Sequence, residues 1–373
     1  MGWSTRLGRF LGIDVYIHAT FWLLLAFFGW VGYAQQRTTE AALASVGFIL
    51  ALFACVLLHE YGHALAARRY GIPTRDITLL PIGGVARLER MPDDPKQELV
   101  VALAGPAVNV VIALALWLGL SLTRHISDAT NLELTAGSFW VRMLGVNITL
   151  VLFNLLPAFP MDGGRVLRAL LAMRLPYVRA TSIAATIGQG MALLFGLFGL
   201  LSGQFMLLFV ALFVWIGAGQ EAQSTQTRQV LAGVPVGAAM ITDFQVVSPH
   251  DPLARVAHLI LRGSQQDFPV VAPDGALVGL LTRPDLVAAL ERDGENSLVA
   301  GAMRAQFITL GDTQLLESAM GQLAELNVKT ALVLRGSQLV GLLTGENLGE
   351  YLLIQNALQN RRTRPGQPVA SGV

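Results

Sequence analysis

The sequence predicts a polytopic α-helical membrane protein of about six transmembrane helices, with a small β-sheet or hairpin at the cytoplasmic side, followed by a soluble α/β domain of two repeated units. Three observations predict it. Of 373 residues, 53% are hydrophobic and only 14% charged, against about 25% charged in a soluble domain. The deficit is confined to long uncharged runs that all end before residue 222. Beyond that point charge, Pro and Asp return, and two similar stretches follow in tandem.

No Asp, Glu, Lys or Arg appears in residues 15–36, 41–58, 99–123, 143–161 or 180–220. A spanning helix needs about 20 apolar residues. Four of these runs fit one span each. The fifth fits two, with Ser202-Gly203-Gln204 as a turn. The predicted spans lie near 17–34, 41–69, 98–122, 140–157, 180–201 and 204–220. The first run is too long for a cleaved signal peptide, and no small-residue cleavage pattern follows it. Between the second and third spans, RDITLLPIGGVARLE (75–89) alternates weakly and is broken by Pro81 and Gly83-Gly84, which predicts a β-hairpin. GIDVYIH (12–18) offers a strand to the same sheet.

Basic residues in short loops set orientation. Arg6 and Arg9 precede the first span, and only Arg37 follows it. The next loop holds Arg68, Arg69, Arg75, Arg87, Arg90 and Lys96. Arg124 and Arg142 come next, then Arg165, Arg168, Arg174 and Arg179, and the last hairpin has none. This alternation places both termini in the cytoplasm, and the end of the second span with them.

Residues 223–234 read as a linker after a membrane domain at 1–222. Two units follow, at 235–295 and 296–358, and a disordered tail is expected at 359–373. Each unit reads as strand, helix, strand, strand, helix, and GLLT recurs at 279–282 and 341–344. Net charge is +1, so no nucleic-acid partner is implied. The single cysteine, Cys55, excludes an intrachain disulfide and a multi-thiolate zinc site.

Chemistry concentrates in HEYGH, residues 59–63, at the end of the second span. Ionisable groups inside a span are costly and signal function. His59 and His63 stand four residues apart, so on a helix both imidazoles face one metal, with Glu60 beside them to act on water. Catalytic zinc takes three protein ligands and keeps an open position. His125 falls on the opposite side of the membrane by the charge count, and His250 and His258 lie in the soluble half. His18, near the cytoplasmic end of the first span, remains open. The strongest candidate is Asp162, where Pro157 and Pro160 interrupt the fourth span and Gly163 and Gly164 let the chain turn. Irregular backbone at membrane depth occurs where it is buried in protein or lines a wet cavity.

HEYGH together with Asn154-Leu155-Leu156-Pro157 and Asp162-Gly163 resembles the site-2 protease family of intramembrane zinc metalloproteases, over residues 1 to about 222. The resemblance implies His59, His63 and Asp162 as zinc ligands, Glu60 as general base, and Asn154 as a substrate-positioning or oxyanion-stabilising residue. It implies that the hairpin with Gly83 and Gly84 pairs with substrate backbone, and that Asn109, in the G-x-x-x-N element at Gly105, serves substrate. The repeated units resemble a pair of CBS modules, on Gly279 to Asp285 and the matching Gly341 to Asn347. That implies an adenine nucleotide (ATP, ADP or AMP) at Thr282, Asp285 and Thr344, with Asn347 departing from the pattern, and a homodimer through the modules. The expected activity is endoproteolysis of a transmembrane protein near the cytoplasmic face of a prokaryotic inner membrane. A module-gated transporter or channel, or an inactive membrane-binding relative, is the alternative.

Overall fold

The computed structural model describes residues 3–92, 94–122 and 138–362. It divides into two compact units, Met1–Thr225 and Gln226–Val373.

The first unit opens with β1 (Ser4–Phe10) and β2 (Ile13–His18), an antiparallel hairpin. Its two-residue turn needs positive φ at both positions, met by Leu11 (51°) and Gly12 (86°). Helices α1 (Ala19–Gln36) and α2 (Thr39–Arg69) follow, then β3 (Thr74–Leu80) and β4 (Gly83–Leu88). The sheet order is β1-β2-β3-β4, with β2 and β3 parallel. The hairpin expected at 75–89 and the added strand at 12–18 are therefore both present. Strand β1 had no signal, because STRLGRF exposes polar and apolar residues alike instead of alternating them. Val15 and Ile77 from the sheet pack on Tyr61 and Ala64 of α2, so the sheet lies against the helix that carries HEYGH.

The remaining elements of this unit are helices: α3 (Pro95–Leu122), α4 (Phe139–Asn154), α5 (Asp162–Ala172), α6 (Tyr177–Leu201) and α7 (Phe205–Leu231). Among the described residues, α2, α3, α6 and α7 are long and apolar enough to cross a membrane. Helices also stand at the other two expected spans, but α4 has 16 residues, and the 18-residue α1 ends in Tyr33-Ala34-Gln35-Gln36, so the count of six is not confirmed. Phe21 and Leu25 of α1 pack with Ile49 and Phe53 of α2, the two phenyl rings meeting edge-on at 4.7 Å.

The expected linker at 223–234 is mostly helix. Helix α7 continues to Leu231, because no Gly or Pro interrupts the chain between Gly219 and Gly233. The second unit contains α8 (Leu253–Arg262), β5 (Phe268–Val271), β6 (Leu277–Leu281) and α9 (Arg283–Asp293). A second copy follows as β7 (Thr309–Gly311), α10 (Leu316–Glu325), β8 (Thr330–Arg335), β9 (Gln338–Thr344) and α11 (Gly345–Arg362). The first strand expected in the first copy is reduced to a single parallel bridge between Val247 and Val270. The segments ahead of each copy are exchanged: Ile241 bridges Leu342, and Arg304 bridges Leu280. Helix α11 runs past the expected start of the tail at 359, since the next proline is Pro365; residues 363–373 lie outside the described residues.

Candidate metal centre

On α2 the four-residue spacing puts His59 and His63 on one face, and that face is turned toward α3. Two glycines permit the approach. A Cβ on Gly62 would come within 2.6 Å of the Ala104 carbonyl oxygen. A Cβ on Gly105 would lie 2.2 Å from His63 Nε2 and 2.7 Å from His59 Nε2. Gly105 thus leaves the space the two imidazoles occupy. Gly105→Ala is expected to weaken zinc binding about 10-fold or more, the size of effect seen when ligand orientation is disturbed. Competition against a chromophoric chelator measures it; unchanged affinity would show that the rings do not need this space.

Asp162 opens α5, after a loop containing Pro157 and Pro160. The glycines beside it serve space rather than turning. Both are helical, and a Cβ on Gly163 would meet Leu156 O at 2.2 Å, one on Gly164 would meet Phe159 N at 2.6 Å. Helix α5 is anchored by Arg168, 1% exposed, whose Nε donates to Glu98 Oε1 of α3 at 2.7 Å and which also pairs with Glu221 of α7. The guanidinium lies 5.0 Å from the ring centres of both Phe159 and Tyr177. A buried charge persists only when paired, and here the pairing ties three helices around the segment that presents Asp162.

The result is a compact triad. His59 Nε2, His63 Nε2 and Asp162 Oδ2 stand 3.1 Å from one another in every pairing. All three residues are buried, and among the described residues they form the one group of such donors close enough to share an ion. Ligand atoms of a tetrahedral zinc at about 2.0–2.1 Å would stand roughly 3.3 Å apart. The spacing and the N, N, O donor set fit that ion. The outer ring nitrogens are engaged: His63 Nδ1 donates to Val101 O at 2.7 Å, and His59 Nδ1 lies 2.5 Å from Asn109 Oδ1. Such partners orient metal-binding histidines.

Glu60 lies outside the triad. Its Oε2 accepts from Ala86 N of β4 at 3.2 Å, and a Cβ on Gly84 would fall 2.6 Å from Glu60 Cγ. Gly84 therefore lets the strand close on the carboxylate. Gly83, at φ 139°, starts β4 with open space about it. Asn109, expected to serve substrate, is 0% exposed and stands behind His59, because the G-x-x-x-N spacing puts Gly105 and Asn109 on one face of α3. Asn154 ends α4 and donates to Leu150 O at 3.0 Å, with no hydrogen bond to the triad among those described. His18 caps α1, accepting from Thr20 N, and His125 lies outside the described residues. Sequence reasoning missed Asn147, Arg168, Glu98 and Glu221. Only the depth of the two glutamates near uncharged runs hinted at a role.

In the second unit, Thr282 caps α9 by accepting from Asp285 N, and its hydroxyl bonds Asp285 Oδ2. Arg304 grips the same carboxylate at 2.6 and 2.8 Å. Burial disfavours the charge on Asp285, but Arg304 and Thr282 outweigh it and hold its pKa below the usual carboxylate value. In the second copy Thr344 Oγ1 accepts from Asn347 N at 3.1 Å. Arg304 lies outside both GLLT motifs, so the sequence does not mark it.

Comparison with known proteins places these features in context. The model of peptidase family M50 matches residues 47–195, and the CBS domain model matches residues 236–292. A zinc metalloprotease of Methanocaldococcus jannaschii is 35% identical over 281 residues, 75% of this chain and 78% of that protein. A protein of Synechocystis sp. also named as a zinc metalloprotease is 30% identical over 362 residues, 91% of this chain and 93% of its own. Among solved structures, a site-2 protease from M. jannaschii aligns at 37% identity with a TM-score of 0.44, covering 59% of this chain and 95% of that one.

Proposed function

The chain belongs to peptidase family M50, the site-2 protease family, and from that premise we propose that His59, His63 and Asp162 hold one catalytic zinc with which it cuts transmembrane segments near the cytoplasmic face. It is an integral membrane metalloendopeptidase with a CBS region. The observation that supports the ligand assignment is the 3.1 Å triangle of donors contributed by two distant segments. Zinc, when bound, supplies Lewis-acid polarisation of the scissile carbonyl and a lowered pKa for water at the site.

The chain's own groups do the rest. Glu60 takes the proton of the attacking water and returns it to the leaving amine. Its carboxylate is kept in place by Ala86 N and the bare backbone of Gly84. A substrate helix must unwind before cleavage, and its freed amides need partners in lipid. Strand β4, at the edge of the sheet, supplies them by strand addition, with the open space at Gly83 admitting the substrate backbone and Gly84 keeping Glu60 beside it. Asn154 steadies the substrate carbonyl once its amide exchanges Leu150 O for it. The basic-residue alternation supports cytoplasmic termini, and relatives in Methanocaldococcus jannaschii and Synechocystis sp. support a prokaryotic membrane. Reconstitution in liposomes with single-span substrates tests this reading. Expected is cleavage within the span, abolished by chelation and restored by zinc. Products that end outside the span, or cleavage indifferent to chelators, would count against it.

An adenine nucleotide at Thr282, Asp285 and Thr344 would regulate the enzyme, and module pairing would make a homodimer. A hydroxyl and a carboxylate at the start of α9 suit vicinal sugar hydroxyls. Titration of the detergent-solubilised chain with ATP, ADP and AMP is expected to give saturable heat with at least one, lost in Asp285→Ala; silence with all three sinks the idea.

A further inference from the structure

The hydrogen bonds behind His59 extend beyond Asn109. Asn109 Nδ2 donates to Asn147 Oδ1 at 2.9 Å, and Asn147 Nδ2 donates to Met143 O at 2.9 Å and to Cys55 Sγ at 3.6 Å. Asn109 and Asn147 are both 0% exposed, on α3 and α4. Nothing about the zinc ligands requires a second asparagine at this depth. An unpaired amide there would cost free energy that an apolar side chain avoids.

We propose that Asn147 is a positioning residue for the metal centre: acting through Asn109, it fixes which nitrogen of His59 carries the proton and so leaves Nε2 bare for the ion. The inference rests on the reading of His59 as a zinc ligand.

The polarity of the network follows from one backbone group. A carbonyl oxygen only accepts, so Met143 O forces Asn147 to turn its NH2 toward it. The second hydrogen of that NH2 goes to Cys55 Sγ. Asn147 then faces Asn109 with its oxygen, and Asn109 must answer with its own NH2. The oxygen of Asn109 is left for His59, and an oxygen can only accept, so His59 Nδ1 bears the hydrogen. Its Nε2 is the lone-pair nitrogen, and that atom points at His63 and Asp162. His63 reaches the same state in one step, through Val101 O. Both ring tautomers are thus dictated by main-chain carbonyls, one directly and one through two amides. Take Asn147 away, and Asn109 is at liberty to rotate, offer its NH2 to Nδ1 and stabilise the tautomer whose Nε2 is capped by hydrogen. A low-dielectric surround strengthens each link.

The test measures zinc affinity of the full chain in detergent, by competition with a chromophoric chelator, for four replacements at Asn147. Asn147→Leu and Asn147→Ala remove the oxygen facing Asn109 and are expected to weaken zinc about 10–100-fold, as losses behind metal-bound histidines do. Asn147→Asp and Asn147→Ser, each giving its hydroxyl hydrogen to Met143 O, keep an oxygen toward Asn109 and are expected to stay near wild type. Packing alone would not sort the four by polarity. Melting of the metal-free protein identifies folded variants, and alanine stands in should leucine fail to fold. Four variants alike, whether all weak or all normal, would overturn the inference while leaving the zinc reading intact. A wild-type chain that binds no zinc would overturn both.

Discussion

Replacing Glu60 with glutamine is expected to leave zinc content at the wild-type level while lowering cleavage of a membrane-embedded substrate about 10²–10⁴-fold, the usual contribution of a general acid–base residue. The geometry separates the two effects. Glu60 is not one of the three converging donors, whose spacing is set by His59, His63 and Asp162. Glutamine keeps the length of the side chain and an oxygen for Ala86 N, so the contact with β4 survives. What disappears is the capacity to accept a proton from water and pass it on. The assay compares substrate products from reconstituted wild type and variant, alongside metal analysis. Normal turnover by Glu60→Gln would show that another group moves the proton.

Removing any one member of the triad has the opposite signature. His59→Ala, His63→Ala and Asp162→Ala are each expected to lower zinc affinity by about 100-fold or more, beyond the effect of losing an orienting partner, and to abolish cleavage with it. Asp162→Ala is the sharpest of the three. Its carboxylate lies 3.1 Å from both imidazoles, and it alone arrives from α5. The two histidines share one turn of α2 and would remain paired, yet two ligands do not complete a zinc shell. Should Asp162→Ala hold stoichiometric zinc with unaltered affinity, the third ligand lies elsewhere.

Much of this centre was legible in sequence, for reasons specific to each residue. The four-residue interval between His59 and His63 is a property of one helix, so a sequence displays it directly. Asp162 was legible because prolines on either side of Ala158-Phe159 announce a break in an apolar run. Gly105 and Asn109 were visible as a pattern but not as neighbours of the histidines, since that depends on how α2 crosses α3. Arg168 shows the same limit. Counted by sequence with the loop cations that set orientation, it is instead buried between Glu98 and Glu221 and braces α5. Composition reports that a charge exists, not whether a partner waits for it. The helical state of residues 223–231 was not legible for a local reason: polar residues without Gly or Pro extend a helix as readily as they end one, so α7 continues to Leu231.

X-ray absorption at the zinc K-edge of the purified wild-type chain bears most directly on the claim that two imidazoles and one carboxylate share an ion. The account predicts a four-coordinate zinc with two imidazole nitrogens and oxygen completing the shell, and no sulfur. A spectrum with a thiolate, or without imidazole scattering, would contradict it.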